Sequence, residues 1–152
     1  MKLFIALDTK EYTLPKGITP VNLIWQHNRV EDWCRKVTFT RRDIVIGHSI
    51  GAAVALIAAE KNPPKELRLY SPSPIFTETV GLPGKSFLRF IGKKRRKEIR
   101  PIPKVACPTT VYVGEFEIPA MKKTAKIIAR KLRAKLVVVP GKSHQDIIEG
   151  AF

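Results

Sequence analysis

The sequence predicts an α/β domain in which helices flank a mostly parallel sheet of six strands. Short apolar, β-branched segments alternate along the chain with segments whose apolar residues recur at helical spacing. Such alternation is typical of βαβ units and therefore of a parallel sheet. The length of 152 residues and the hydrophobic content of 44% suit one sizeable core, so we expect residues 1–152 to form a single domain.

Six short apolar segments are the predicted strands. The first, LFIAL, is a continuous apolar run of the kind found in strands that are buried on both faces. The others have a similar length and a similar content of β-branched residues. The predicted strands cover residues 3–7, 20–26, 43–47, 65–71, 109–115 and 135–141.

Three segments between these strands have the apolar spacing of helices. Asn28 is the predicted N-cap of a helix over residues 28–39. An alanine-rich helix over residues 49–62 stops at the double proline that follows it. Pro119 lies in the first turn of a helix over residues 119–134. The end of the chain offers at most two further helical turns.

One region interrupts the alternation of strands and helices. Residues 72–108 show no strand period and contain the densest cationic run of the chain, KKRRK. Phe87, Leu88 and Ile91 would share one face of a helix beside this run. We interpret residues 72–108 as a small insertion in the domain.

The formal net charge of +15 is the one extreme feature of the composition. The cations are spread over the chain, and no helix-turn-helix, RNA-recognition or zinc-finger pattern accompanies them. We therefore interpret the charge as a solvated basic surface and expect no obligate nucleic-acid partner. A weak contact with anionic surfaces would use the cationic run, which consists of Lys93, Lys94, Arg95, Arg96 and Lys97.

Composition also bounds the cofactors and the compartment. Cys34 and Cys107 lie far apart and have no histidine partners at metal-ligand spacing, so we expect neither a metal site nor a disulfide. The apolar run at the start is too short for a signal peptide, and no segment has the roughly 20 apolar residues of a membrane span. We expect a cytoplasmic protein without a metal or an organic cofactor.

The segment GHSIG places a serine between two glycines where a predicted strand passes into a predicted helix. Gly47, Ser49 and Gly51 fit the Gly-x-Ser-x-Gly pattern, in which a sharp, strained turn exposes the serine hydroxyl. The free N–H groups at the start of the helix would favour an oxyanion beside the serine, and the N–H of Ile50 is the natural first donor. This pattern predicts Ser49 as a nucleophile.

A serine hydroxyl needs a base to take its proton, and histidine is the side chain whose ordinary pKa suits this role. The chain has three histidines. His48 lies inside the turn, where we expect a packing or polar contact, and His27 fits a capping or surface role. His144 follows the last predicted strand in a glycine-containing loop, so we predict His144 as the base.

A carboxylate must orient the imidazole of such a base. Between Ser49 and His144, only Glu115 and Glu117 follow the carboxyl end of a predicted strand, which is the edge where ligands bind in parallel sheets. They lie two residues apart and would point the same way in an extended turn. These observations on the residues therefore leave both Glu115 and Glu117 as candidates for the acid.

Serine, acid and histidine in this chain order resemble the catalytic triad of the α/β-hydrolase superfamily. IVIGHSIGA is similar to the strand, nucleophile elbow and helix of that family, and VVVPGKSH is similar to its last strand and histidine loop. The spacing from Gly114 to Pro119 resembles the family's acid loop and favours Glu117, with Glu115 as the alternative acid. Outside the insertion, the resemblance covers most of residues 43–144.

Several features depart from the usual pattern of the family. Glutamate stands at residue 117, where aspartate is usual. Asp8 and Thr9 follow the first predicted strand in place of the usual His-Gly, which leaves the N–H of Thr9 as the candidate second oxyanion donor. The family's first two strands are missing, which implies a trimmed α/β-hydrolase fold. Residues 72–108 stand where family members carry a lid.

The resemblance implies a serine hydrolase that cleaves small or short-chain carboxylic esters through an acyl-serine intermediate. Thioesters and peptide-like bonds suit the same machinery. The alternative is a catalytically silent protein of this fold that binds nucleic acid or anionic surfaces through its basic face. Apolar side chains of the lid-like insertion would wall the acyl pocket, namely Phe76, Val80, Leu82, Phe87, Leu88, Phe90 and Ile91.

Overall fold

The computed structural model of the protein describes residues 1–26 and 28–152 and contains a six-stranded sheet. All neighbouring strands are parallel, and their spatial order is β2-β1-β3-β4-β5-β6, so the predicted fold class is confirmed. His27, for which the sequence predicts a capping or surface role, lies outside the described residues. The strands are β1 (Lys2–Leu7), β2 (Ile18–Leu23), β3 (Ile44–His48), β4 (Glu66–Tyr70), β5 (Thr109–Gly114) and β6 (Lys135–Val139).

Four α-helices lie between the strands in the described part of the chain. The second contacts β1, β3 and β4, and the fourth contacts β5 and β6, so each crosses over the sheet beside the strands that it connects. The helices are α1 (Val30–Lys36), α2 (Ile50–Lys61), α3 (Lys85–Arg96) and α4 (Pro119–Leu132).

The two faces of the sheet are covered differently. Successive side chains of a strand point to opposite faces, so Leu3 and Ile5 of β1 join the apolar cluster that contains residues of all four helices. Phe4 and Ala6 face the other way and pack against the end of the chain and the segment around Tyr12. Among the described residues, helices therefore cover one face, and a 3₁₀ turn and irregular segments cover the other.

The predicted elements differ most from the structure near the sheet edge. The strand predicted over residues 20–26 begins and ends earlier as β2. The predicted N-cap Asn28 is wrong, because α1 is capped by Arg29, whose N–H donates to the carboxylate of Asp32 (2.7 Å). The amide of Asn28 donates instead to the carbonyl oxygen of Ile24 (2.9 Å) and stabilises the loop before the helix.

The insertion of residues 72–108 is fastened to the rest of the domain by its acidic and cationic side chains. It contains α3, which is kinked where Gly92 has a left-handed backbone with a φ of 80°. The Glu98 carboxylate accepts the N–H groups of Val30 (2.8 Å) and Glu31 (3.1 Å) and so caps the start of α1.

The cationic run divides into one residue that packs inward and four that face solvent. The guanidinium of Arg95 lies 3.8 Å from the ring centroid of Trp25 and donates to the carbonyl oxygens of Trp25 and Asn28. Because these donors are engaged within the fold, the predicted contact with an external anionic surface would depend on the other four residues of the run. The exposed members of the run are Lys93, Lys94, Arg96 and Lys97.

Two further features of the described residues bear on function. None of their helices is long and apolar enough to cross a membrane. Their His, Cys, Asp and Glu side chains form no group of three or more that could hold a metal ion. Cys34 and Cys107 are both free thiols, and burial raises the pKa of Cys34 to about 11, which keeps that thiol protonated at neutral pH.

Helix α2 begins so close to β1 that Gly51 has no room for a side chain. A Cβ atom on Gly51 would lie 1.9 Å from the carbonyl oxygen of Ile5, whereas one on Gly81 would meet nothing within 4 Å. We expect Gly51→Ala to lower the free energy of unfolding by about 3 kcal/mol or more. The control Gly81→Ala should change it by less than about 1 kcal/mol. Urea denaturation measures both, and equal losses would contradict this account of the α2–β1 contact.

Candidate active site

The chain turns sharply between β3 and α2, and Ser49 lies in the turn. Its backbone φ of 53° and ψ of −119° are rarely adopted by residues with a side chain and are what the Gly-x-Ser-x-Gly pattern predicts. The N–H of Ser49 donates to the carbonyl oxygen of Tyr70 (3.0 Å), which ties the turn to the end of β4. The Ser49 hydroxyl faces the loop that follows β6.

Three of the predicted side chains form a continuous chain of hydrogen bonds. The Nε2 atom of His144 lies 3.1 Å from the Oγ atom of Ser49. Its Nδ1 atom lies 2.7 Å from the Oε2 atom of Glu117. The structure thus brings together the predicted nucleophile, base and acid from the loops that follow β3, β6 and β5.

The environment of Glu117 fixes the direction of these hydrogen bonds. Burial raises the pKa of the Glu117 carboxyl. The hydrogen bond and charge of His144, the hydroxyl of Ser71 and the N–H of Ile118 lower it, and the net shift is downward. An ionised carboxylate only accepts hydrogen bonds, so Nδ1 of His144 carries the proton and Nε2 is an acceptor. The Ser49 hydroxyl then donates to Nε2, as a serine nucleophile requires of its base.

The acid loop and the histidine loop are in direct backbone contact. The N–H of Phe116 donates to the carbonyl oxygen of Lys142 (3.0 Å). A Cβ atom on Gly114 would lie 2.3 Å from the same oxygen, so only glycine allows this approach. The distance between the Glu117 carboxylate and the His144 ring is therefore set by the backbones of both loops.

The alternative acid, Glu115, has a different contact. Its Oε2 atom accepts the N–H of Gly141 (2.7 Å), at the start of the histidine loop, and its side chain is exposed. The expectation that Glu115 and Glu117 point the same way is wrong, because the N–H of Glu117 donates to the carbonyl oxygen of Gly114 (3.2 Å) and closes a tight turn. Of the two carboxylates, Glu117 lies against His144.

The two predicted oxyanion donors have different surroundings. The N–H of Ile50, in the first turn of α2, has no acceptor among the described residues and stays a candidate donor. The N–H of Thr9 donates to the Oδ1 atom of Asn22 (2.8 Å). This contradicts Thr9 as the second donor, because a side chain from the neighbouring strand already occupies its N–H.

The elbow residue His48 makes the polar contact that the sequence predicts for it and is almost completely buried. Its Nε2 atom lies 2.7 Å from the carbonyl oxygen of His144, so Nε2 carries the proton. Its Nδ1 atom therefore accepts from the hydroxyl of Tyr12, 2.7 Å away. This relay attaches the backbone of the histidine loop to the elbow.

A cavity of about 370 Å³ opens beside Ser49 and His144. A larger open cleft of about 610 Å³, beside Glu11 and Phe152, is lined by neither of these side chains. Cavity size alone therefore does not identify the candidate site, whereas the hydrogen-bonded pair of Ser49 and His144 does. The apolar lining of the smaller cavity consists of Leu7, Ile50, Pro74, Pro83, Phe87, Phe90, Ile118 and Met121.

The insertion supplies part of this lining, although fewer residues than the sequence predicts. Phe87 and Phe90 line the cavity. Phe76 and Ile91 are buried in the helix-covered core instead. The other predicted wall residues, Val80, Leu82 and Leu88, are not among the residues that line it.

Comparison with known proteins identifies the fold. No protein-family model matches the chain, and no curated protein matches its sequence. An α/β hydrolase enzyme from the metagenome of sediments of the lagoon of Mar Chica, Morocco, matches with a TM-score of 0.64 and 18% identity over 97% of this chain and 83% of that chain. The protein has the α/β-hydrolase fold. Its sheet is trimmed to six strands, as the sequence implies.

Two further solved structures with this fold also match. A thermophilic esterase from Thermogutta terrifontis has a TM-score of 0.52 and 19% identity, over 82% of this chain and 68% of that chain. The thioesterase domain from the curacin biosynthetic pathway has a TM-score of 0.57 and 14% identity, over 99% of this chain and 86% of that chain.

The α/β-hydrolase pattern in the sequence does not reveal two groups at the site. Tyr12 holds His48 from an irregular segment after β1. The Oγ atom of Ser73, which follows β4, lies 3.2 Å from the Oγ atom of Ser49. Neither belongs to a motif, and the only available signal is that each follows the carboxyl end of a strand.

Burial lowers the pKa of His48 to about 4, below its ordinary value of about 6.5. The unfolded chain therefore binds a proton at this residue as the pH falls through 6.5, while the folded protein does not until about pH 4. As the pH falls from 6.5 to 5, we expect this difference in proton binding at His48 to lower the free energy of unfolding by about 1.5 kcal/mol. Chemical denaturation across this range measures the slope.

His48→Gln is the matched variant for this pH dependence, because glutamine does not titrate. The variant should be less stable at pH 7, and its free energy of unfolding should depend less on pH between pH 5 and pH 6.5. The carboxyl groups with lowered pKa values, including Glu117, titrate below this window. An unchanged slope in the variant would show that His48 is not the group responsible.

Proposed function

We propose that this protein is a serine hydrolase that cleaves small or short-chain carboxylic esters through an acyl-serine intermediate. One observation carries the proposal: Ser49, His144 and Glu117 are joined by hydrogen bonds of 3.1 Å and 2.7 Å. This arrangement combines a strained nucleophile elbow, a base with its acceptor nitrogen facing the hydroxyl, and a buried acid. The α/β-hydrolase fold supports the proposal by analogy.

In the proposed reaction, the Oγ atom of Ser49 attacks the carbonyl carbon of the ester while its proton passes to Nε2 of His144. The electron pair of the C=O bond moves to the oxygen, where the N–H of Ile50 is the candidate donor that stabilises the negative charge. When this intermediate collapses, the C–O bond to the alcohol breaks, and the alcohol leaves with the proton from Nε2. Water then attacks the acyl-serine by the same steps and releases the carboxylic acid.

The cavity beside Ser49 supports esters with small apolar acyl groups as substrates. Its volume is about 370 Å³, near the lower end of the range for small-molecule sites, and its lining is mainly apolar. Thioesters and peptide-like bonds remain compatible with the same mechanism. Both an esterase and a thioesterase domain are among the proteins of similar fold.

A fluorophosphonate probe tests the nucleophile and the acid. The wild-type protein should become labelled, and Ser49→Ala should not. Glu117→Gln should reduce the labelling rate about a thousandfold, because the imidazole loses its orienting charge. Glu115→Gln is the matched control, since glutamine keeps an oxygen that accepts the N–H of Gly141, and its rate should stay within about threefold of wild type.

The same experiment can favour the alternative function. An unlabelled wild-type protein that binds nucleic acid or anionic vesicles in a strongly salt-dependent way would support a catalytically silent binding protein. The exposed cations that would make this contact are Lys93, Lys94, Arg96 and Lys97. A labelled protein without such binding would support the hydrolase alone.

A panel of p-nitrophenyl esters tests the proposed acyl preference. We expect kcat/KM for acetate and butyrate to exceed that for decanoate by roughly tenfold or more, since the cavity is small. Phe87→Ala should enlarge the cavity and shift the preference to longer acyl chains. The control Phe116→Ala changes an exposed ring that does not line the cavity and should leave the preference unchanged. A preference for decanoate in the wild type would contradict the prediction.

A further inference from the structure

A second serine hydroxyl lies against the predicted nucleophile. Ser73, in the loop after β4, is only 4% exposed, and its Oγ atom lies 3.2 Å from the Oγ atom of Ser49. The N–H of Ser73 donates to the carbonyl oxygen of Ser49 (3.1 Å). The backbone of Ser73 is therefore attached to the elbow independently of its hydroxyl.

The donor in this contact follows from the other hydrogen bonds of the site. A serine hydroxyl has one hydrogen and two acceptor lone pairs. Nε2 of His144 is an acceptor, so the single hydrogen of Ser49 points to Nε2. The contact with Ser73 can then form only if the Ser73 hydroxyl donates to Oγ of Ser49. The four side chains form one directed chain, from Ser73 through Ser49 and His144 to Glu117.

We propose that Ser73 is a further catalytic residue, whose hydroxyl stabilises negative charge on the Oγ atom of Ser49. This inference rests on the proposed hydrolase function. During attack, Oγ of Ser49 gains alkoxide character as its proton moves to Nε2 of His144. A hydrogen bond to a charged oxygen is stronger than one to a neutral oxygen, so the contact with Ser73 strengthens as charge develops.

The same contact acts again when the acyl group leaves. In deacylation, water adds to the acyl carbon and gives its proton to Nε2 of His144. The bond between that carbon and Oγ of Ser49 then breaks, and Oγ takes the electron pair and the proton from Nε2. The Ser73 hydroxyl donates to Oγ while the charge is present. Ser73 therefore lowers the barriers of both half-reactions and itself loses no proton.

A nearby serine shows that burial alone does not produce this contact. Ser71 lies two residues earlier in the same loop and is completely buried. Its hydroxyl meets no partner among the described residues with full hydrogen-bond geometry, but it lies near the Glu117 carboxyl and contributes to the lowered pKa of that group. Of these two buried hydroxyls after β4, that of Ser73 contacts the Ser49 hydroxyl and that of Ser71 does not.

The test compares the wild type with Ser73→Ala and Ser73→Cys. Fluorophosphonate labelling measures the reactivity of Ser49, and the burst and steady-state phases with p-nitrophenyl acetate separate acylation from deacylation. We expect Ser73→Ala to slow labelling, acylation and deacylation each by roughly five- to tenfold, without a change in binding of an unreactive substrate analogue. Ser73→Cys introduces a weaker donor of similar size, so its rates should lie between those of the wild type and those of Ser73→Ala.

Several outcomes would overturn the inference while the hydrolase proposal stands. In one, the wild type is labelled and Ser73→Ala is labelled at the same rate. In another, Ser73→Ala binds the analogue more weakly while its rates of acylation and deacylation are unchanged. If Ser73→Ala does not fold by circular dichroism, Ser73→Cys decides, and a rate equal to wild type overturns the inference. An unlabelled wild type would instead reject the proposed function itself. Ser86→Ala, on the exposed side of α3, is the control for the substitution.

Discussion

The close approach of α2 to β1 is the constraint on which the candidate site depends. Gly51 packs against the carbonyl oxygen of Ile5 with no side chain between them, so the helix starts directly at the end of β3. This start fixes both the strained backbone of Ser49 and the position of the N–H of Ile50. The predicted nucleophile and the candidate oxyanion donor therefore share one short turn because two backbones are in contact.

The position of His144 is fixed mainly through the backbone of its loop. The acid loop contacts this backbone at Lys142, and Glu115 holds Gly141. From the elbow, His48 donates to the carbonyl oxygen of His144 itself. Among the described residues, the imidazole itself has two hydrogen-bond partners, Glu117 at Nδ1 and Ser49 at Nε2, so each of its two nitrogens is used once.

The insertion is part of the domain's packing as well as part of the site. Glu98 caps α1 and Arg95 stacks on Trp25, so the segment that follows the kink in α3 is held against α1 and the connection after β2. Phe87 and Phe90, earlier in the same helix, line the cavity beside the nucleophile. Arg95, which anchors the insertion, and the two phenylalanines that shape the cavity therefore lie on one short helix, so changes to the packing of that helix will affect the cavity.

The sequence by itself determined the parallel sheet, the elbow at Ser49 and the chain order of the predicted nucleophile, acid and base. Apolar period, glycine spacing and strand ends are properties of short segments, so a sequence shows them directly. Only the tertiary structure showed that Glu117, and not Glu115, lies against His144, since a single turn sends the two side chains in different directions. The tertiary structure also pairs the N–H of Thr9 with the side chain of Asn22 and places the hydroxyl of Ser73 against that of Ser49. Hydrogen-bond partners of this kind come from segments that are remote in the chain, so local sequence patterns do not predict them.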